Sequence, residues 1–237
     1  MCRLSWPVKA SFKNEVSAPG KVMWQVHGAK AYGSAMRPDH RTATTKPFPT
    51  FGPRSMEKVT LHDKEFEPYI SAAELDAAID AVALRVTARY ADQLPLFLGV
   101  LNGSYYFASE LMKRLSFPCE ISFVKVASYH GTRSSGTVKQ LIGLQESIAG
   151  RHVVVLEDIV DTGNTILHVV EALRAWHPAS IAVASLLLKP AVYRKDFPIE
   201  FVAKEVPNVF VVGSGLDHNG LGRNLPGIYR LVNNTTH

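Results

Sequence analysis

The chain has little cysteine and no long apolar run, and each absence limits the kind of protein it can be. Cys2 and Cys119 are the only cysteines in 237 residues; one lies near a terminus and the other at the start of a predicted strand. This usage argues against a disulfide scaffold and favours a reducing, cytoplasmic location. No stretch approaches the roughly 18 consecutive apolar residues of a bilayer helix, so we expect no membrane partner.

Acidic residues are scarce in the first quarter of the chain. Residues 1–55 carry nine Lys or Arg but only Glu15 and Asp39, whereas the remaining residues carry 17 bases and 19 acids. The overall net charge of +5 therefore combines +7 in the first segment with −2 in the rest. Because the larger part has no basic surplus to attract a phosphate backbone, we expect no nucleic-acid partner.

Residues 1–55 also lack a helical period, sustained strand alternation and the continuous apolar core of a signal peptide. We therefore predict a basic, disordered extension over 1–55 and a single domain over 56–237. An organelle transit peptide is an alternative for the extension. Met56 stands where the ordered pattern begins, so a start codon placed too early is another.

The larger part of the chain alternates strand-like and helix-like segments. Ser71 and Glu74 form a capping box that opens a helix over about residues 72–91, and further helices are predicted after Ser104 to about residue 115 and over 165–176. Short apolar runs predict strands over 95–101, 121–127, 152–156, 181–188 and 209–212. This alternation predicts an α/β fold with a mostly parallel central sheet flanked by helices, whose ligands bind outside the carboxyl ends of the strands.

One segment changes character at the end of its strand and carries the main chemical signal. An apolar run ending at Leu156 is followed by three acids and then by small polar residues, namely Glu157, Asp158, Asp161, Thr162, Gly163, Asn164 and Thr165. The start of a helix offers N–H groups and partial positive charge to a phosphate, while nearby acids suit sugar hydroxyls, a divalent cation or proton transfer. Taken alone, the acids equally fit a solvated loop with a helix cap, and the chain has no P-loop motif.

These residues resemble the phosphoribosyl-diphosphate-binding motif of the type I phosphoribosyltransferases. Downstream segments around Lys189, Phe210, Asp217 and Arg223 resemble the purine and diphosphate sites of the hypoxanthine-guanine members, and the resemblance spans about residues 57–234. It implies transfer of the 5-phosphoribosyl group from 5-phosphoribosyl 1-diphosphate to hypoxanthine or guanine, with Mg²⁺ as cofactor. It also implies a small hood region beside the sheet and a homodimer or homotetramer.

The resemblance assigns roles to the strand-end motif. Asp161 would act as general base or proton holder at N7 of the purine. Glu157 and Asp158 would bind the ribose hydroxyls, directly or through Mg²⁺. The 5′-phosphate would lie in the cradle formed by Asp161, Thr162, Gly163, Asn164 and Thr165.

The resemblance also assigns the purine and diphosphate contacts. Lys189 would donate to O6 of a 6-oxopurine, Phe210 would stack on the ring, and the Val211 backbone would meet the ring edge. Asp217 would contribute to the purine site and help to hold Mg²⁺, and Arg223 would clamp diphosphate oxygens. By position alone, Lys189 is expected to face solvent and Phe210 to lie in the core.

Two loops complete the implied site. Leu101, Asn102 and Gly103 resemble the diphosphate-binding loop, with a cis peptide bond expected after Leu101; some relatives carry a lysine at the position of Asn102. Ser128 and Tyr129, with the loop through residue 136, resemble a mobile flap that closes over the site. Without the resemblance these segments are a strand-to-helix turn and a flexible loop.

Three other functions stay open at this point. Selection at the purine 2-position depends on backbone groups that a sequence does not display, so a xanthine-preferring phosphoribosyltransferase is one alternative. A regulatory or RNA-binding protein that keeps the same fold is another, although the net charge of residues 56–237 and the presence of Asp161, Lys189 and Arg223 disfavour it. The third is an unrelated nucleotide-binding α/β protein with a chance match.

Overall fold

The computed structural model of the chain describes residues 56–129 and 138–232. The extension predicted over 1–55 and the predicted flap residues 130–136 lie outside the described residues. The helices are α1 (Ala72–Tyr90), α2 (Tyr105–Met112) and α3 (Asn164–Arg174). The strands are β1 (Val59–Leu61), β2 (Lys64–Ile70), β3 (Leu96–Leu101), β4 (Glu120–Tyr129), β5 (Val138–Ile142), β6 (His152–Val160), β7 (Ser180–Leu188), β8 (Phe201–Glu205), β9 (Val211–Val212) and β10 (Ile228–Leu231).

The central sheet has six strands in the order β5-β4-β3-β6-β7-β8. All neighbouring pairs are parallel except β4 and β5, which are antiparallel. The α/β class with a mostly parallel sheet is therefore confirmed. Because β3, β6 and β7 run in the same direction, their carboxyl ends bring the loops after residues 101, 160 and 188 to one edge of the sheet.

Helices pack on both faces of the central sheet. On one face α1 and α2 pack in a core that includes Leu75, Ile79 and Phe107, and on the other α3 packs through Ile166 and Val170. The apolar run of β3 is buried on both faces, as a continuous hydrophobic strand in a parallel sheet should be. Within the residues described, no helix combines the length and apolar character needed to cross a membrane.

A second, smaller sheet has four strands in the order β1-β2-β10-β9, and every pairing in it is antiparallel. Phe66, Val212 and Tyr229 form its buried core. This sheet is the hood region that the resemblance implies. Phe210 lies just before β9 of this sheet, and Asp217 and Arg223 lie in the segment between β9 and β10.

Local sequence signals explain where the first helix begins. The Ser71 backbone N–H donates to Glu74 Oε2 at 2.9 Å, and the Glu74 N–H donates to Ser71 Oγ at 3.2 Å, so the predicted capping box is present. Strand β6 runs four residues beyond its predicted end because Ile159 and Val160 continue the ladder with β7. The strand predicted over 209–212 is reduced to Val211 and Val212.

Arg114 joins the two helices on one face of the sheet, which leads to a stability prediction. It donates to Asp80 Oδ1 at 2.5 Å and Asp76 Oδ1 at 3.0 Å on α1, and to Glu110 Oε2 at 2.8 Å on α2. We expect Arg114→Met to lower the free energy of unfolding by about 1–2 kcal/mol, because a networked, largely buried guanidinium contributes more than an isolated surface pair. Urea unfolding measures the change.

The control for this prediction is Lys113→Met, which removes only an exposed ion pair to Glu110 and should change stability by less than about 0.5 kcal/mol.

Burial alone would raise the pKa of Glu110, but hydrogen bonds from Lys113 and Arg114 leave that pKa lowered. Glu110 therefore stabilises the fold above its ordinary pKa of 4.5, and this contribution is lost as pH falls through its lowered value. Arg114→Met should accordingly lose less stability on acidification than the wild type; an equal loss would contradict the role of this network.

Candidate active site

The loop after β6 forms a small cavity at the start of α3. The cavity, of about 30 Å³, is lined by Glu157, Asp161, Gly163 and Thr165 together with apolar neighbours. Gly163 is the N-cap residue and adopts φ +80°, a left-handed conformation that suits glycine. Because glycine has no side chain to cap the helix, the first-turn N–H groups of α3 remain available to an anion.

A larger cleft of about 220 Å³ lies beside that cavity. It brings together predicted residues from three parts of the chain, and its lining is Asp158, Ile159, Asp161, Lys189, Phe210, Val211, Leu216 and Asp217. Lys189, directly after β7, is only 9% exposed, whereas Phe210 is 45% exposed. A buried cation and an open aromatic face in one cleft are suited to a flat, polar-edged ligand.

The two adjacent carboxylates on β6 lie in different surroundings. Glu157 is 7% exposed and its Oε2 has no hydrogen-bond partner within the described residues. Burial, reinforced by the charge of Asp158, raises the pKa of Glu157 well above its ordinary value. Burial also raises the pKa of Asp158, although the Ile159 N–H and the charge of Arg223 oppose the shift. A ligand that brings positive charge would therefore stabilise the ionised forms of both carboxylates.

The loop after β3 approaches Asp158 closely. The Leu101–Asn102 peptide bond is cis, as expected for the predicted diphosphate loop. A Cβ added to Gly103 would lie 1.5 Å from Asp158 Oδ2, so only glycine leaves room for that carboxylate. A Cβ at Gly215, whose φ is +106°, would lie 2.3 Å from the Gly103 carbonyl oxygen. Two glycines thus let the loop pack between the central sheet and the segment that follows β9.

Arg223 is held in place by its neighbours. Its Nη2 lies 2.5 Å from Asp217 Oδ1 and its Nη1 donates to the Gly215 carbonyl at 2.6 Å. The Tyr105 hydroxyl donates to the Arg223 carbonyl at 3.0 Å, and the Gly220 N–H donates to Asp217 Oδ2 at 2.7 Å. The guanidinium fork is therefore oriented before any ligand binds.

The acidic residues can be tested for metal binding. Asp158 and Asp217 line the same cleft, whereas Glu157 lines the neighbouring small cavity. Across residues 56–129 and 138–232, no group of three or more His, Cys, Asp or Glu side chains is arranged to hold a metal ion. Mg²⁺ commonly binds through one or two carboxylates plus water and substrate phosphates. The carboxylates of Asp158 and Asp217 fit such a site when a substrate supplies further oxygens.

The predicted flap is only partly described. Ser128 and Tyr129 end strand β4, where they pair in register with Lys139 and Val138 of β5. The rest of the predicted flap, over residues 130–136, lies outside the described part of the chain. Its role stays a prediction.

Sequence reasoning missed several residues that shape this site. Tyr105 and Gly215 are described above, and Tyr193 packs on Gly163. The ring of His218 lies edge-on to Phe210, with centroids 5.6 Å apart, and supports that ring from the hood side. The clustered glycines from 213 to 222 were the one signal that could have indicated close backbone approach.

Comparisons with known proteins show the family of the chain. A family model described as a phosphoribosyl transferase domain matches residues 71–219. The hypoxanthine-guanine phosphoribosyltransferase of Bacillus subtilis is 39% identical over 166 residues, which are 70% of this chain and 92% of that protein. The hypoxanthine phosphoribosyltransferase of Salmonella typhimurium is 37% identical over 169 residues, 70% and 95% of the two chains. A solved hypoxanthine phosphoribosyltransferase from Staphylococcus aureus superposes with TM-score 0.65 at 34% identity, covering 70% of this chain and 91% of that one.

Proposed function

The chain belongs to the phosphoribosyl transferase domain family, and from that premise we propose that it transfers the 5-phosphoribosyl group from 5-phosphoribosyl 1-diphosphate to hypoxanthine or guanine. One observation carries the proposal. Asp161, Lys189 and Phe210 line a single cleft beside the anion-binding start of α3. The relatives named for this reaction match over most of their length. The type I phosphoribosyltransferase fold is shared with the solved hypoxanthine phosphoribosyltransferase of Staphylococcus aureus.

The reaction replaces one bond at C1 of the ribose with another. The bond from C1 to the diphosphate oxygen breaks, and N9 of the purine forms the new bond to C1. The proton at N7 passes to Asp161, whose carboxylate lines the cleft where the purine lies. Stabilisation of the departing diphosphate and removal of this proton are the two tasks of the site.

The purine subsite selects 6-oxopurines by hydrogen bonding. Lys189 has donors but no acceptor, so its ammonium binds the O6 of hypoxanthine or guanine and offers nothing to the exocyclic amino group of adenine. The exposed face of Phe210 stacks on the purine. The Val211 backbone lies at the ring edge in the same cleft.

The sugar, phosphate and diphosphate contacts follow from the remaining residues. Glu157 and Asp158 bind the ribose hydroxyls, and the loop from Asp161 to Thr165 binds the 5′-phosphate through its N–H groups and hydroxyls. The Leu101–Gly103 loop and Arg223 bind the diphosphate. Asp158 and Asp217, which line one cleft, would hold Mg²⁺ together with substrate oxygens, and the ion would supply charge neutralisation at the diphosphate.

The experiment that tests the proposed function is direct. Diphosphate release from 5-phosphoribosyl 1-diphosphate is measured with hypoxanthine, guanine, xanthine and adenine in turn, with Mg²⁺ and after its removal by a chelator. We expect release with hypoxanthine and guanine, none with adenine, and loss of activity without Mg²⁺. Faster release with xanthine than with either expected base would make the enzyme xanthine-preferring, and no release with any purine would refute the proposal.

A substitution at Lys189 tests the purine assignment. We expect Lys189→Met to raise the KM for hypoxanthine roughly 10- to 100-fold, because a charge-assisted hydrogen bond to O6 is lost. The KM for the phosphoribosyl donor should change by less than about threefold, since the donor binds elsewhere. Steady-state kinetics with each substrate varied in turn provides the measurement, and an equal rise in both KM values would count against a purine-specific role.

We also propose that the enzyme works in the cytoplasm as a homodimer or homotetramer. The support is the family resemblance for assembly and the sparse cysteine for location. Light scattering on the purified full-length chain tests the assembly, and a monomer at assay concentration would exclude it.

A further inference from the structure

The proposed 5′-phosphate seat has a shortage of positive charge. A phosphate monoester carries about −1.5 to −2 charges near neutral pH. The seat itself is lined by Glu157 and Asp161, and residues 157–166 contain no Lys or Arg. The start of α3 contributes only about half a positive charge. A seat with two acidic groups and no cation of its own would bind a phosphate more tightly if another segment supplied positive charge.

The segment after β7 brings a lysine against the loop that forms this seat. A Cβ added to Gly163 would lie 2.4 Å from Tyr193 Cε2 and 2.8 Å from Lys195 Cγ, so both side chains pack directly on the phosphate loop. Only three further bonds separate Cγ from the ammonium, so the ammonium is within reach of the phosphate loop. Lys195 is half-buried, and its ammonium makes no ion pair with any acidic side chain in the described ranges.

The same segment is anchored at both of its ends. The N–H groups of Val192 and Tyr193 donate to the Lys189 carbonyl at 3.2 and 3.1 Å, and the Tyr193 hydroxyl donates to the Phe197 carbonyl. Lys195 therefore projects from a turn whose backbone is fixed to the end of β7, and its side chain packs on Gly163 at Cγ. The stem of Lys195 is thus ordered before a ligand binds, which reduces the entropy lost on binding.

We propose that Lys195 binds the 5′-phosphate of the phosphoribosyl donor and of the nucleotide product. This inference rests on the proposed function and adds a residue to it. The ammonium reaches the phosphate from beside Gly163, where the stem of Lys195 packs, and supplies the charge that the loop lacks. Lys195 thereby distinguishes a nucleoside monophosphate from the corresponding nucleoside.

The test compares two ligands that differ only in the phosphate. Dissociation constants of inosine 5′-monophosphate and of inosine are measured by calorimetry for the wild type and for Lys195→Met, which keeps an apolar stem on Gly163 but has no charge. We expect monophosphate binding to weaken about tenfold or more, and inosine binding to change by less than about twofold. Lys195→Gln should behave like Lys195→Met, whereas Lys195→Arg should keep most of the affinity because it keeps the charge.

The matched control is Lys204→Met in strand β8. Lys204 is also partly exposed, but its charge acts on Glu74 at the start of α1. The Lys204→Met variant should bind both ligands as the wild type does, and thermal unfolding should show that every variant is folded. Equal weakening of inosine and its monophosphate by Lys195→Met would indicate lost packing, and unchanged monophosphate binding would indicate no contact; either result overturns the inference.

Failure of the proposed function would look different from failure of this inference. If the wild type releases no diphosphate with any purine and binds the monophosphate no more tightly than inosine, the proposed function itself fails. If the wild type is active and discriminates between the two ligands but Lys195→Met discriminates equally well, only the role of Lys195 fails.

Discussion

Asp161→Asn is expected to lower kcat by about 10²- to 10⁴-fold, the usual contribution of a positioned general base. Asparagine keeps the size of the side chain and its hydrogen-bonding oxygen, so the Thr162 N–H that donates to the Asp161 carboxylate still has an acceptor. The amide cannot take the N7 proton. The KM for the phosphoribosyl donor should therefore change by less than about threefold while turnover is lost.

Single-turnover and steady-state kinetics with hypoxanthine measure both effects. Asp92→Asn is the control, since Asp92 is an exposed acid between α1 and the amino end of β3 and does not line the cleft. Its kinetics should match those of the wild type. Turnover of Asp161→Asn within about threefold of wild type would remove the proton-acceptor role from Asp161, and a large rise in donor KM with unchanged kcat would reassign Asp161 to phosphate binding alone.

Elements with strong local signals were predictable from the sequence. The capping box at Ser71 fixes the start of α1, and the apolar runs of β3, β6 and β7 are long enough to indicate buried parallel strands. The hood strands β1, β2 and β10 and the edge strands β5 and β8 were missed. All but β2 have five residues or fewer, and several are half-exposed, so their pairing depends on partners distant in sequence rather than on an apolar pattern of their own.

The candidate site also has one part that was readable from the sequence and one that was not. The motif from Glu157 to Thr165 is contiguous, so its residue types and its place at a strand end were readable together. The contacts that position the site join distant segments: Tyr105 with Arg223, Gly103 with Gly215, and Lys195 with Gly163. Neither propensity nor periodicity reports such pairs, because each residue alone fits an ordinary surface or turn position.

These long-range contacts give the glycines of the site their importance. Gly163 needs its left-handed conformation and also lies under two side chains, so it combines a backbone requirement with a steric one. Gly103 does not have a positive φ, so its requirement is steric alone. A substitution at Gly103 therefore separates the geometry of the site from the strain of the backbone.

Gly103→Ala should lower kcat/KM by about 100-fold or more, because a displacement of about 1 Å in a reacting group is enough to cause such a loss. The new Cβ would lie 1.5 Å from Asp158 Oδ2 and 2.2 Å from its Cγ, so the Asp158 side chain has to leave its position beside the cleft. The donor site loses a ribose-binding carboxylate and one of the two acids suited to Mg²⁺. Kinetics are measured with the donor and Mg²⁺ varied in turn. Both the KM for the donor and the Mg²⁺ concentration needed for half-maximal activity should rise.

Gly150→Ala is the matched control, because Gly150 has the backbone requirement that Gly103 lacks and lacks the steric requirement that Gly103 has. Gly150 has φ +70° and no atom within 4 Å of an added Cβ, so alanine there strains the backbone without touching the site. We expect Gly150→Ala to be destabilised by about 1 kcal/mol with unchanged kcat/KM. Gly103→Ala should instead stay folded in thermal unfolding while losing activity. If Gly103→Ala kept kcat/KM within about threefold of wild type, Asp158 would not need its position against the loop, and its proposed role in holding the ribose would be untenable.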